Sequence, residues 1–200
     1  MARKSPGHAA LLTAASAEFA ERGFDGTSIR DIAARAGVSL SALYHYYPGK
    51  QALLAAILDE GMDDYLERCR AALAAGGSGP AEQLTALVSA TVRYRAERSV
   101  ASLILINEAR ALTEQDRAAY RARQRQGTGL FADVIAQGTA TGVFDTPYPE
   151  DARRTVLAAC NAVAQWYRPD GPTDLPTLIE RYVHIALTVV GCKAPENQIS

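Results

Sequence analysis

Apolar residues recur at intervals of three and four along nearly the whole chain, which is the spacing of an α-helix buried on one side. In the first such segment, Leu11, Leu12, Ala15 and Phe19 share one face of a helix over residues 7–22, and the following glycine ends that helix. No segment shows the strict apolar and polar alternation of a half-buried strand. The pattern therefore predicts an all-α protein.

Two short helices are predicted next, with a glycine turn between them. Ser28 supplies a hydroxyl cap and Asp31 a carboxylate three residues later, a pattern that starts a helix. Gly37 breaks this helix, and a second one starts at residue 39 or 40 and ends before Pro48. Such a pair is typical of a helix-turn-helix, but an ordinary helical hairpin has the same spacing.

The rest of the chain predicts a larger helical domain. Helices are expected over residues 50–75, from residue 80 onward, and over 102–112, 114–141, 150–168 and 177–190. Residues 102–106 alone resemble a buried strand, but the helix formers that follow favour one helix. We expect about nine helices, with a three-helix DNA-binding domain over residues 1–50 and a ligand-binding and dimerisation domain over residues 51–200.

Composition narrows the class of protein. Hydrophobic residues make up 48% of the chain and charged residues 22%, as in ordinary globular proteins, and the net charge is only −1. Residues 1–50 hold six lysines and arginines against four acidic residues, so any attraction to phosphate must be local. The three cysteines are widely spaced. We expect a cytoplasmic protein with reduced thiols, no metal, no cofactor and no membrane segment.

The second short helix carries the candidate chemistry. Three aromatic side chains, on Tyr44, His45 and Tyr46, lie outside its predicted apolar side and suit contacts with phosphate oxygens in a major groove. Lys50 can neutralise a phosphate, and Arg30 can reach a base edge or a phosphate. A hydroxyl of residue 27 or 28 can bind the DNA backbone.

The run TSIRDIAARAGVSLSALYHYYPGK at residues 27–50, preceded by FAERGF at residues 19–24, resembles the DNA-binding signature of the TetR family of bacterial repressors. The resemblance implies phosphate contacts at Ser28, Tyr44 and Lys50. It implies that base edges are read by Arg30, Leu40, Ser41, Ala42 and Tyr46. Residue 40 is often polar or basic in such proteins, and Leu40 offers only an apolar contact, for example with a thymine methyl group. The full predicted DNA-binding set is Thr27, Ser28, Arg30, Ser39, Leu40, Ser41, Ala42, Tyr44, His45, Tyr46 and Lys50.

The final helix predicts self-association. Its polar residues form one narrow stripe, so most of its circumference must be buried, on one side by the core and on the other by a second copy. The resemblance also implies dimerisation through the last two long helices, and a dimer reads a palindromic operator. The candidate dimer residues are Val156, Val163, Tyr167, Tyr182, Val183, Leu187 and Val190.

Arginines at four-residue spacing, followed by an apolar segment, suggest where an effector binds. They are either a solvated basic face or a cation cluster beside an apolar cavity, suited to an amphipathic anion such as a CoA thioester. Polar residues of the penultimate helix either bind ligand or line the dimer seam. The segment 161–172 resembles the KstR2-like TetR subgroup of steroid catabolism regulators, which implies an acyl-CoA effector. The candidate ligand residues are Asn107, Arg110, Tyr120, Arg121, Gln124, Arg125, Phe131, Asn161 and Trp166.

The same residues bear on other functions. An enzyme is disfavoured because His8, His45 and His184 have no acidic or thiol partner at a useful spacing. A TetR-like drug sensor that controls an efflux pump, and a helical protein-interaction module without DNA binding, stay open as alternatives.

Overall fold

The computed structural model describes residues 6–192, apart from the side chains of residues 6, 105 and 106. Within that range the regular structure is helical, and one isolated bridge joins Phe144 to Cys192. The predicted all-α class is confirmed. The α-helices are α1 (Pro6–Gly26), α2 (Ile29–Arg35), α3 (Leu40–Tyr46), α4 (Lys50–Ala75), α5 (Pro80–Glu97), α6 (Ser99–Asn107), α7 (Glu114–Ala140), α8 (Pro149–Trp166) and α9 (Leu175–Val189).

The chain divides into two compact units. The first comprises the described part of residues 1–64 together with Val100–Arg123, and the second comprises Tyr65–Ser99 together with the described residues from Gln124 onward. The expected domain boundary after residue 50 stays a prediction.

Helices α1, α2 and α3 pack around a small apolar core in the first unit. Leu11, Phe19, Ile32 and Leu43 are all fully or almost fully buried, so each helix contributes at least one anchor. Burial of these four large apolar side chains contributes to offsetting the entropy lost in ordering such short helices. These three helices therefore form a compact head on which α3 can be held in place.

Local capping fixes where α2 and α3 begin. The Ser28 hydroxyl accepts a hydrogen bond from the Asp31 amide, and the Asp31 carboxylate accepts one from the Ser28 amide, which completes a capping box. The Ser39 hydroxyl accepts from the amide of Ala42 in the same way. These caps satisfy backbone amides that have no partner within the helix.

One predicted helix end agrees with the structure and one differs. Helix α1 is interrupted at Gly23, whose backbone is non-helical (φ 71°, ψ 169°), so the first helical segment ends where the sequence predicted and a short second segment continues to Gly26. The helix predicted over residues 102–112 ends at Asn107, and a short 3-10 turn over Ala109–Ala111 follows. The tighter turn buries Leu112 while Arg110 stays exposed.

The second unit is built around α5, which packs against α8 and α9. Tyr94, Leu84, Phe131 and Val163 are among its fully buried side chains. Among the described residues, none of the helices is both long and apolar enough to cross a membrane.

Candidate nucleic-acid interface

Helix α3 has one buried and one exposed side. Leu43 is fully buried and Tyr47, just after the helix, is almost fully buried. Tyr44 and Tyr46 are 50% and 40% exposed, and His45 is also exposed. The buried side anchors α3, and the opposite side presents aromatic groups to solvent as predicted from the sequence.

The start of α1 supports the end of α3. The Tyr47 hydroxyl lies 2.7 Å from Nε2 of His8, a hydrogen bond between residues 39 positions apart. The His8 ring also lies edge-on to Tyr46, with a 6.4 Å separation of ring centroids. His8 therefore helps to orient an exposed tyrosine, a role that the sequence did not indicate because its partners are remote along the chain.

Helices α1 and α2 are joined by charge pairs. The Arg35 guanidinium lies 3.0 Å from the carboxylate of Glu18 and 2.6 Å from that of Glu21. The hydrogen bond from Arg35 holds the pKa of Glu21 below its ordinary value. Arg30 is exposed and has no ion-pair partner among the described residues, so its charge is available to a phosphate or a base.

Lys50 holds the turn between α1 and α2. Its Nζ donates to the carbonyl oxygens of Phe24 at 2.6 Å and Thr27 at 2.9 Å, and it lies 4.3 Å from the centre of the Phe24 ring. An ammonium has three N–H donors, so one remains for a phosphate. Lys50 therefore stabilises the fold of the head, in addition to any contact that it makes with DNA.

Hydroxyl groups of the predicted set also serve the head itself. The buried Thr27 hydroxyl lies 2.8 Å from the Gly23 carbonyl and 3.1 Å from that of Glu18. The Ser28 hydroxyl donates to the Asp31 carboxylate at 2.6 Å, which lowers the pKa of Asp31. The exposed hydroxyl of Ser41 has no such internal role in the described hydrogen bonds.

The predicted set thus separates into three groups. Thr27, Ser28, Ser39 and Lys50 use polar atoms to build the head. Leu40 and Ala42 are half-buried near the start of α3. The exposed groups that can donate to phosphates or base edges are those of Arg30, Ser41, Tyr44, His45 and Tyr46.

The candidate ligand residues occupy different environments. In the first unit, Asn107, Arg110 and Arg121 are exposed, and Tyr120 is buried. In the second unit, Gln124 and Arg125 are exposed. The remaining members of the set, also in the second unit, are the fully buried Phe131, the half-buried Asn161 and the 47% exposed Trp166.

The candidate dimer residues also differ in exposure. Val156, Val163, Tyr167 and Val190 are buried inside their own chain, where they fill the core of the second unit. Tyr182, Val183 and Leu187 are half-buried on α9. Two residues outside the predicted dimer set, Trp166 and Ile185, are each 47% exposed.

Sequence reasoning missed Arg95, a buried arginine of α5. Its Nε donates to the side-chain oxygen of Asn161 at 3.0 Å, so α5 and α8 are joined by a polar contact inside the second unit. Asn161 was predicted as a ligand residue, and the structure brings Arg95 to it.

Comparison with known proteins agrees with this architecture. Residues 11–57 match the family model described as "Bacterial regulatory proteins, tetR family", and residues 77–190 match the one described as "Tetracyclin repressor-like, C-terminal domain". The chain therefore belongs to the TetR family of bacterial transcriptional regulators. As a member of that family it is a DNA-binding transcriptional repressor with a helix-turn-helix, as predicted.

Several relatives cover nearly the whole chain. The repressor KstR2 of Mycobacterium tuberculosis H37Rv is 31% identical over 88% of this chain and 89% of its own length. KstR2 of Rhodococcus jostii RHA1 is also 31% identical, over 97% of this chain and 95% of its own. The solved M. tuberculosis KstR2 structure, described as a ketosteroid transcriptional regulator, has a TM-score of 0.85 at 27% identity and covers 96% of this chain and 97% of that one.

A more distant structure shares the fold. The structure of AibR in complex with isovaleryl coenzyme A and operator DNA has a TM-score of 0.82 at 24% identity, over 94% of this chain and all of that one.

Proposed function

We propose that this repressor binds a palindromic operator as a homodimer, and that an acyl-CoA thioester releases it. The exposed side of α3 carries the DNA-binding part of the proposal. A short helix that is anchored by Leu43 and presents Ser41, Tyr44 and Tyr46 to solvent has the form of a recognition helix. Two such helices related by a two-fold axis would match two half-sites.

Arg30 and Tyr44 test the DNA contact. Because Arg30 is exposed and lacks an ion-pair partner among the described residues, Arg30→Met removes a charge without removing an internal contact. We expect weaker binding to a promoter fragment by fluorescence anisotropy, with the slope of log K against log[salt] reduced by about 1. Tyr44→Phe, which removes only a hydroxyl, is expected to weaken binding with the slope unchanged.

Arg154→Met is the matched control, since Arg154 is also exposed but lies on α8 and pairs with Asp151. Its DNA affinity should equal that of the wild type. Unchanged affinity in both Arg30→Met and Tyr44→Phe would contradict the assignment of these residues.

The proposed homodimer rests on the apolar surface of α8 and α9. Trp166 and Ile185 are each 47% exposed, and the Trp166 ring stacks on Tyr182 with centroids 6.4 Å apart. Large apolar groups clustered in this way mark association surfaces, and a helix pair suits an isologous two-fold contact.

A charge placed on this surface should separate the dimer. We expect Ile185→Glu to shift the sedimentation coefficient from that of a dimer toward that of a monomer. It should also weaken operator binding, because one recognition head alone meets only one half-site. Tyr148→Glu is the control, since Tyr148 is 68% exposed but lies outside the surface. Dimers of undiminished stability in Ile185→Glu would refute the surface.

An acyl-CoA effector is supported by positive charge on α7 and by a protein that shares the fold. In the second unit, α7 carries the exposed Arg125, and arginine is well suited to phosphates such as those of coenzyme A. AibR, which shares the fold, is described with an acyl-CoA and operator DNA. An effector that binds the DNA-free state more tightly must lower operator affinity by the same factor.

A direct titration separates this proposal from the efflux-sensor alternative. Isovaleryl-CoA and decanoyl-CoA should raise the melting temperature and release the promoter fragment, whereas free coenzyme A should do so less and the lipophilic cation tetraphenylphosphonium not at all. Release by the cation alone would favour a drug sensor and contradict the acyl-CoA proposal.

A further inference from the structure

Arg95 is a cation enclosed by neutral groups in the second unit. It lies near the end of α5, and the residue is only 7% exposed. Its guanidinium stands over the rings of Tyr65 and Tyr94, at 5.1 Å and 5.4 Å from their centroids. Apart from these rings, its described polar contact is the bond to Asn161.

No carboxylate pairs with Arg95 among the described residues. The ionisable groups that interact with it are a phenol and two thiols, those of Tyr65, Cys69 and Cys160. Burial raises the pKa of Cys160 to about 12 and also raises the pKa values of Tyr65 and Cys69, so all three stay neutral near pH 7. Buried arginines are normally paired, because desolvation of a lone charge is costly.

One edge of the guanidinium lacks a partner. The Nη1 atom is buried and has no hydrogen-bond partner in the described structure, whereas Nε is bonded to Asn161. Arg68, which also stands over the Tyr94 ring, pairs with the carboxylate of Glu97 at 3.1 Å. The same part of the unit thus supplies a counter-charge to a half-exposed arginine and none to the buried one.

We propose that Arg95 binds a free carboxylate on the acyl part of the effector, at the end remote from the thioester, an inference that rests on the proposed effector-responsive repressor. A guanidinium binds a carboxylate through two parallel hydrogen bonds, and Nη1 is the unsatisfied donor. A single cation matches a monoanion, whereas a coenzyme A head with several phosphates calls for several cations. The Tyr65 and Tyr94 rings beside it suit an apolar chain next to the carboxylate.

Arginine side-chain NMR of the full chain tests this contact directly. In a ¹⁵N-arginine sample, the Nε–H signal of Arg95 is assigned by its absence from Arg95→Met. Sodium decanoate is then titrated, with decanol as the neutral molecule of equal chain length and inorganic phosphate as the other oxyanion. We expect a saturable shift of the Arg95 signal with decanoate and none with decanol or phosphate.

Calorimetry supplies the affinity. We expect Arg95→Met to weaken decanoate binding about 10- to 100-fold, the range for loss of a charge-assisted hydrogen bond. Arg93→Met is the control, because Arg93 is two residues away on the same helix and is half-exposed; its decanoate affinity should match the wild type. If Arg95→Met does not fold, Arg95→Lys keeps the charge without the paired donors and should still bind decanoate more weakly.

Three results would overturn the inference: an Arg95 signal that decanoate does not shift, an equal shift with decanol, or a shift with phosphate alone. Operator binding is measured separately on the same samples. If decanoate occupies Arg95 but the promoter fragment stays bound, the carboxylate site stands and decanoate alone does not release DNA. Release by isovaleryl-CoA, measured in parallel, tests the effector part of the proposed function.

Discussion

Lys50 gives the sharpest prediction about how the DNA-binding head is held together. Its Nζ makes two charge-assisted hydrogen bonds to backbone carbonyls, at 2.6 Å and 2.9 Å, and one cation–π contact with Phe24. In Lys50→Met the carbonyl oxygens of Phe24 and Thr27 lose this donor while the methionine keeps most of the packing. We expect the variant to lose about 2–3 kcal/mol of unfolding free energy, since each bond is partly solvated.

For a chain of this length that loss corresponds to a fall in melting temperature of about 4–12 °C, measured by circular dichroism. Arg30→Met, in the same head but with an exposed side chain, should melt like the wild type. DNA affinity should fall in both variants. Lys50→Met loses the third N–H of Lys50, which is left for a phosphate, and Arg30→Met loses an exposed positive charge. If Lys50→Met weakened DNA binding but melted at the wild-type temperature, the role of Lys50 in stabilising the head would be refuted.

Three further changes test other contacts. Ser28→Ala removes both the hydroxyl that caps α2 and its bond to Asp31, and should lower the unfolding free energy by about 1 kcal/mol in urea denaturation; no loss would contradict the capping box. Gly138→Ala places a methyl group against the Phe144 ring, and should cost about 1–3 kcal/mol and lower the melting temperature, whereas an unchanged temperature would show that the ring moves freely. Cys160, whose pKa burial raises to about 12, should resist iodoacetamide at pH 8 in the native state and react in urea, as followed by mass spectrometry; rapid native labelling would disprove that burial.

Helix ends set by local signals could be predicted closely from the sequence. The helices expected over residues 50–75 and 114–141 are observed as Lys50–Ala75 and Glu114–Ala140. Glycine and proline end helices through the backbone geometry of adjacent residues, so these helix ends can be predicted from the local sequence. The end of α6 was predicted less well, because burial of Leu112 through a 3-10 turn depends on what surrounds the chain there.

The roles of polar atoms in the head were harder to predict. Thr27, Ser28 and Lys50 have the right chemistry to bind phosphate, and the family resemblance places contacts at the last two. The structure shows that their polar atoms already have internal partners. Whether they also contact DNA stays a prediction, whereas exposure makes Arg30 and Tyr44 the stronger candidates.

Arg95 shows why a buried ligand contact escapes sequence reasoning. Arg93 and Arg95 flank Tyr94 and look alike in sequence, but two residues correspond to a rotation of about 200° around a helix, so they lie on nearly opposite sides. Which side is internal depends on the packing of α5 against α8 and α9, and that packing is not encoded near either arginine. The exposed arginine has a carboxylate, Glu97, one turn along the helix, and the buried one has none among the described residues. A missing counter-charge is a property of the folded unit, so the search for an effector contact has to begin with unpaired buried charges rather than with clusters of arginine along the chain.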